Sequence, residues 1–215
     1  MRIGSFFARL FNRRSVETTP ATSTATTPAP AQPSRAPVDT FEPGRPMRVA
    51  LGQVTGYSAT ERAKLNQATD LLAKVLNSQE FKDGVLSATF QGKPGFASDT
   101  RSPQEIYDVI RRGQENYDAT DDGEVDLNLN LRDLGWFKRH VVGYGTEGGD
   151  TITTNRRFFS SFTPAEMAGH LAHEWLHKAG FEHDFNATAR RPDSVPYELG
   201  NLIEKLAKGP LTPLS

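Results

Sequence analysis

Between positions 173 and 183 the chain reads His173-Glu174-Trp175-Leu176-His177-Lys178-Ala179-Gly180-Phe181-Glu182-His183. Residues four apart lie one above the other on an α-helix, so His173 and His177 can aim both imidazoles at one ion. Glu174 is rotated by about 100° from His173. That keeps its carboxylate off the ion but within reach of a water beside it. Gly180 can turn the chain, and His183 then brings a third imidazole. Three protein ligands with a fourth corner left for water make the donor set of a catalytic zinc site rather than a closed structural one. The chain contains no cysteine, which excludes disulfides, thiolate catalysis and Cys-ligated zinc. The expected cofactor is one Zn2+ ion held by His173, His177 and His183.

The chemistry follows from that set. Three neutral imidazoles leave the ion its full charge, which acidifies a water at the open corner. Glu174 is then the general base. It takes the proton as the water attacks a carbonyl and passes it to the leaving amine.

The ligands need a helix, and the sequence marks one. Thr163 can cap it, Pro164 suits the first helical position and Glu166 completes a capping box. The helix should run to Ala179, where Gly180 can adopt the left-handed conformation that ends it. Upstream, Met47 to Val54 alternates as a strand does. Ser58 and Glu61 form a second capping box ahead of a helix over about 59–79. Val85 to Phe90 reads as a strand. Ser102-Pro103-Gln104-Glu105 starts another helix, which Gly113 should end. In Glu124 to Leu131, Val125, Leu127, Leu129 and Leu131 face one way and polar residues the other, as in a half-buried strand. Arg139 to Thr146 and Asp150 to Thr154 read as strands joined by a turn at Glu147-Gly148-Gly149. Glu198 to Lys208 reads as an amphipathic helix ended by Gly209-Pro210. This order predicts an α+β domain with α/β-type layers of helices on a sheet.

The eleven-residue string HExxHxxGxxH is the metzincin signature. A bare HExxH arises by chance in roughly one chain of this size per hundred, and the added Gly and His lower that by about three orders of magnitude. Residues 47–208 therefore resemble a compact metzincin catalytic domain, and are most similar to small bacterial metzincin-like peptidases. The resemblance implies a zinc-dependent endopeptidase acting on a protein or peptide. It implies a twisted mixed sheet whose antiparallel edge strand pairs with extended substrate. Val142, Gly143, Tyr144 and Gly145, within Val141 to Thr146, are the candidates for that edge, and an ordinary hairpin strand is the alternative. One departure stands out. The family places a methionine turn beneath the metal, and here no Met follows Met167. Ser194-Val195-Pro196-Tyr197 is the counterpart by position. Tyr197 either packs as part of the floor, approaches the metal or hydrogen-bonds the oxyanion. Asp184, which reprolysins also carry after the third His, is expected to fix its loop by hydrogen bonds. Two other activities stay open: a zinc hydrolase of a narrow non-protein amide, and a zinc-binding module without turnover. The intact Glu174 argues against the second.

The rest of the chain supplies boundaries. Seven of its 14 prolines precede position 47. The Thr/Ala/Pro tract from Glu17 to Thr40 cannot bury enough apolar area to offset chain entropy. Residues 1–46 are read as a disordered tail and linker, and 47–215 as the catalytic domain. Met1 to Arg14 is basic and aromatic but too short in its apolar part for a signal-peptide core. It is either an amphipathic targeting segment or the start of the tail, so export without a typical cleavable signal stays open. A net charge of −1 gives a nucleic-acid partner no bulk support. No transmembrane segment is expected, and nothing sets an oligomeric state. Asp118 to Gly123 resembles the start of a calcium loop but lacks the acidic residue at its end, where Leu129 stands. His170 is read as an outer residue or a solvent-facing one, not a ligand. His140 has no assigned partner. Trp136-Phe137 and Phe158-Phe159 are read as core or cleft wall.

Overall fold

The computed structural model describes residues 42, 44–91, 101–115, 121–135, 142–145 and 150–214, with the side chains of 144 and 145 left aside. Most of the sequence's tail, the turn at 147–149, His140 and Trp136-Phe137 lie outside them.

The described residues form an α+β arrangement. Strand β1 (Arg48–Thr55) leads into helices α1 (Ala59–Leu76), α2 (Gln79–Ser87) and α3 (Pro103–Arg112). Strands β2 (Glu124–Arg132), β3 (Gly143–Gly145) and β4 (Thr151–Asn155) follow. Helices α4 (Arg156–Ser161), α5 (Pro164–Lys178) and α6 (Val195–Leu206) complete the chain. The sheet runs in the order β1-β2-β4-β3. β1, β2 and β4 are parallel, whereas β3 lies at the edge, antiparallel to β4.

The alternation of β2 explains its place at the centre. Val125, Leu127, Leu129 and Leu131 are all buried, while Asp126, Asn128 and Asn130 are half-buried. Burying each Leu stabilises the fold by roughly 2 kcal/mol. Their partners in one continuous core include Leu65 and Leu72 of α1, Ile106 and Ile110 of α3, Leu171 and Trp175 of α5, and Leu199 and Ile203 of α6.

The ends of the helices follow local chemistry. Ser58, Ser102 and Thr163 each form a capping box with Glu61, Glu105 and Glu166. Gly113 ends α3 and Gly180 follows α5, both at positive φ (65° and 87°), where residues with a Cβ are disfavoured.

Two expectations need correction. Val85 to Phe90 is not a strand: Val85, Leu86 and Ser87 belong to α2, and residues 88–91 join no strand. Ser78 accepts a hydrogen bond from the Phe81 amide and so starts a new helix. Phe81 and Val85, four apart, then bury the same face. The last helix begins at Val195, not Glu198. Pro196 sits in its first turn, where the missing N–H costs no hydrogen bond. The expected turn at 194–197 is thus a helix start. Helix α4 had no counterpart in the sequence reading, although Asn155 caps it.

Helices α5 and α6 approach closely through two glycines. A Cβ on Gly169 would lie 2.6 Å from the Gly200 carbonyl oxygen, and one on Gly200 would lie 3.3 Å from the His173 Cβ. Gly169→Ala should therefore force the helices apart and cost about 1–3 kcal/mol. Urea denaturation checks this, and an unchanged midpoint would show that the contact is dispensable.

Candidate metal centre

His173 and His177 project from one face of α5, and the Gly180 turn returns the chain so that His183 meets them. One ring nitrogen of each lies within 4.8 Å of the others, close enough to hold a metal ion. The ring centroids are 5.1, 5.3 and 4.8 Å apart for the three pairs. All three residues expected as ligands are brought together.

Backbone carbonyls orient two of the rings. His177 Nδ1 lies 2.9 Å from the Phe181 oxygen, and His183 Nδ1 lies 3.0 Å from the Asp184 oxygen. A carbonyl oxygen can only accept, so each Nδ1 carries the proton and each Nε2 keeps its lone pair for a metal. His173 is packed against α6, with Nδ1 3.8 Å from where a Gly200 Cβ would lie. Three imidazoles without sulfur suit a borderline divalent cation such as zinc, and the donor set fits that ion.

Electrostatics favour the neutral, ligating form at two of the three. Burial, reinforced by His177 and His183, holds His173 well below the usual histidine value. Burial likewise pushes His183 down to about 4. His177 differs. Burial pulls it down, but the Glu182 carboxylate, 3.7 Å from its Nδ1, and the charge of Glu174 outweigh this and raise it. Glu174 is buried, and desolvation raises its carboxyl, with the His177 charge opposing.

These shifts predict how the metal-free protein responds to acid. His170 and His183 titrate at about 4 when folded and near 6.5 otherwise. The unfolded chain therefore binds more protons between those values, and stability is lost as pH falls from about 6.5 towards 4. His173 acts in the same direction, and His177 with the raised carboxyls of Glu174 and Glu115 in the opposite one. Urea unfolding in chelator should give a midpoint that declines across that window. A flat or rising midpoint would contradict the assignment.

Tyr197, in the first turn of α6, stands over the site. Its ring centroid is 4.7 Å from that of His173 and 4.8 Å from that of His183. Burial pushes its phenol up to about 12, and the Arg191 guanidinium lies 5.1 Å from its ring. Asp184 fixes the loop after His183, as expected. Its carboxylate accepts from the Thr188 hydroxyl and lies 3.7 Å from Arg190 Nε.

Of the four edge candidates, Gly143, Tyr144 and Gly145 form β3 and Val142 lies just before it, while Val141 and Thr146 are outside the described residues. The Val142 carbonyl accepts from the Asn155 amide at 2.8 Å. Of the calcium-loop candidate, Asp118 to Thr120 lie outside the described residues, and residues 124–129 belong to β2. Phe158 and Phe159 are buried in the core. No helix among the described residues is long and apolar enough to cross a membrane.

Sequence reasoning missed the support behind α5. Lys178 is buried and lies 2.9 Å from Glu115 Oε2 and 2.5 Å from Asp150 Oδ1. It also donates to the Asp126 carbonyl at 2.7 Å. Trp175 Nε1 donates to Glu115 Oε1 at 2.6 Å. Burial raises the Glu115 carboxyl, while Lys178 and Trp175 oppose it. The positions between and after the motif histidines thus anchor the helix to β2. A lysine next to His177 gave no signal of burial in sequence. No family model, curated protein or solved structure matches this chain.

Proposed function

We propose that this chain is a zinc-dependent endopeptidase of the metzincin type. One observation carries the reading: three imidazoles converge at the end of a helix whose next residue after the first ligand is a buried carboxylate. Zinc bound there would supply Lewis-acid polarisation of a carbonyl and acidification of water.

The chain's own groups supply the rest. Glu174 holds the proton taken from water and returns it to the leaving amine. A raised carboxyl brings its proton affinity closer to that needed for this exchange near neutral pH. β3 is an antiparallel edge beside the site-bearing helix, and extended peptide added to it would form a further strand. The sheet order, with this edge next to β4, supports the family likeness. Tyr197 packs its ring against those of His173 and His183, and its phenol is the candidate donor to a developing oxyanion.

The test uses the full chain, loaded with zinc and incubated with a mixed peptide library. Internal cleavages with a recognisable sequence preference, abolished by chelator and restored by zinc, are expected. Stoichiometric zinc without any cleavage would overturn the reading.

A further inference from the structure

His170 lies one turn ahead of Glu174 on α5 and is 1% exposed. Its Nε2 lies 3.1 Å from the Thr154 hydroxyl of β4. Its Nδ1 lies 3.7 Å from Glu174 Oε1. The Phe162 ring packs on it with centroids 5.7 Å apart. On the sheet side, a Cβ on Gly143 would lie 2.9 Å from His170 Cε1 and 3.2 Å from Nε2. The ring is therefore wedged between the edge strand, β4 and the body of α5. A ring flip would turn carbon atoms towards Thr154 and Glu174.

We propose that His170 is a positioning residue for Glu174: the Thr154 hydroxyl holds its Nε2, and its Nδ1–H orients the Glu174 carboxylate towards the open corner of the histidine triad. The proton assignment follows from the two neighbours. An ionised carboxylate only accepts, so Nδ1 must donate to it. Nε2 then carries the lone pair, and the Thr154 hydroxyl can donate into it. The opposite tautomer would set a lone pair against a carboxylate. The 3.7 Å separation is longer than a formed hydrogen bond, and such bonds commonly tighten once a site is loaded. A buried base that can swing loses the alignment on which proton transfer depends. His170 removes that freedom and ties Glu174 to β4. The Gly143 contact extends the link to the strand proposed to receive substrate. What the oriented carboxylate accomplishes rests on the peptidase reading; the orientation does not.

Full-length zinc-loaded protein carrying His170→Phe, His170→Gln or Thr154→Val tests the proposal. His170→Phe should keep zinc and KM while kcat falls by about 10–100-fold. Thr154→Val should move kcat in the same direction by less, and His170→Gln should recover part of the loss through its amide N–H. Independently of turnover, 15N ring shifts of His170 should place the proton on Nδ1, and Thr154→Val should weaken that preference. The proposal is overturned if zinc-replete Thr154→Val and His170→Phe both keep kcat within about threefold of the parent, or if the proton resides on Nε2. Should His170→Phe fail to fold, Thr154→Val and the ring shifts still decide. A parent that cleaves no peptide overturns the peptidase reading alone, because the ring shifts continue to report the orientation.

Discussion

Replacing Glu174 by Gln should leave zinc bound and reduce kcat by about 10²–10⁴-fold, the range expected for loss of a positioned general base. The substitution keeps shape and volume. It removes the ability to accept a proton. The residues close enough to hold a metal ion are His173, His177 and His183, and Glu174 is not among them, so affinity for the ion should change little. Stability should hold or rise, since burial already disfavours the charged form of this carboxyl. Bound zinc per protein and peptide cleavage, measured on the same preparation, check the expectation. Parent-like cleavage would show that another group takes the proton. Loss of zinc would show that the carboxylate belongs to the ligand set.

Lys178→Met should cost about 3–5 kcal/mol of folding stability, the usual effect of breaking a buried ion pair from one side. The stem length is kept, so packing changes little. Glu115, 5% exposed, would lose the ammonium 2.9 Å from its Oε2, and the Asp126 carbonyl would lose its donor. Against a typical total of about 5–15 kcal/mol, this is a large fraction. Adding Glu115→Gln should restore part of the loss, because the stranded charge is then gone. Chemical denaturation of the single and double variants checks both statements. A single-variant loss below about 1 kcal/mol would place Lys178 with ordinary surface pairs.

Much of the site was legible because its determinants are local. The spacing of His173, Glu174 and His177, the cap at Thr163 and the stop at Gly180 all act within one helix and one turn. The strand β2 was legible because its burial alternates with period two. Val85 to Phe90 misled because a short apolar run fits either period. The choice was made by Ser78, whose side chain accepts from the Phe81 amide. The start of α6 was misplaced because Pro196 suits a turn and a first helical turn equally. The long-range partners had no such local mark. Lys178 reaches Glu115 and Asp126 across many residues of chain, and His170 meets Thr154 from another element. Their sequence neighbours do not distinguish a buried charge from a solvated one.

The Gly180 turn has a consequence for how an ion would be captured. His183 lies six residues beyond His177 in the chain, and closing so short a segment costs only about 1–2 kcal/mol of loop entropy. That small cost is already met in the folded chain, where His183 stands beside His173 and His177 before any ion arrives. Loading should accordingly leave the segment after Gly180 in place along with the α5 and α6 backbones.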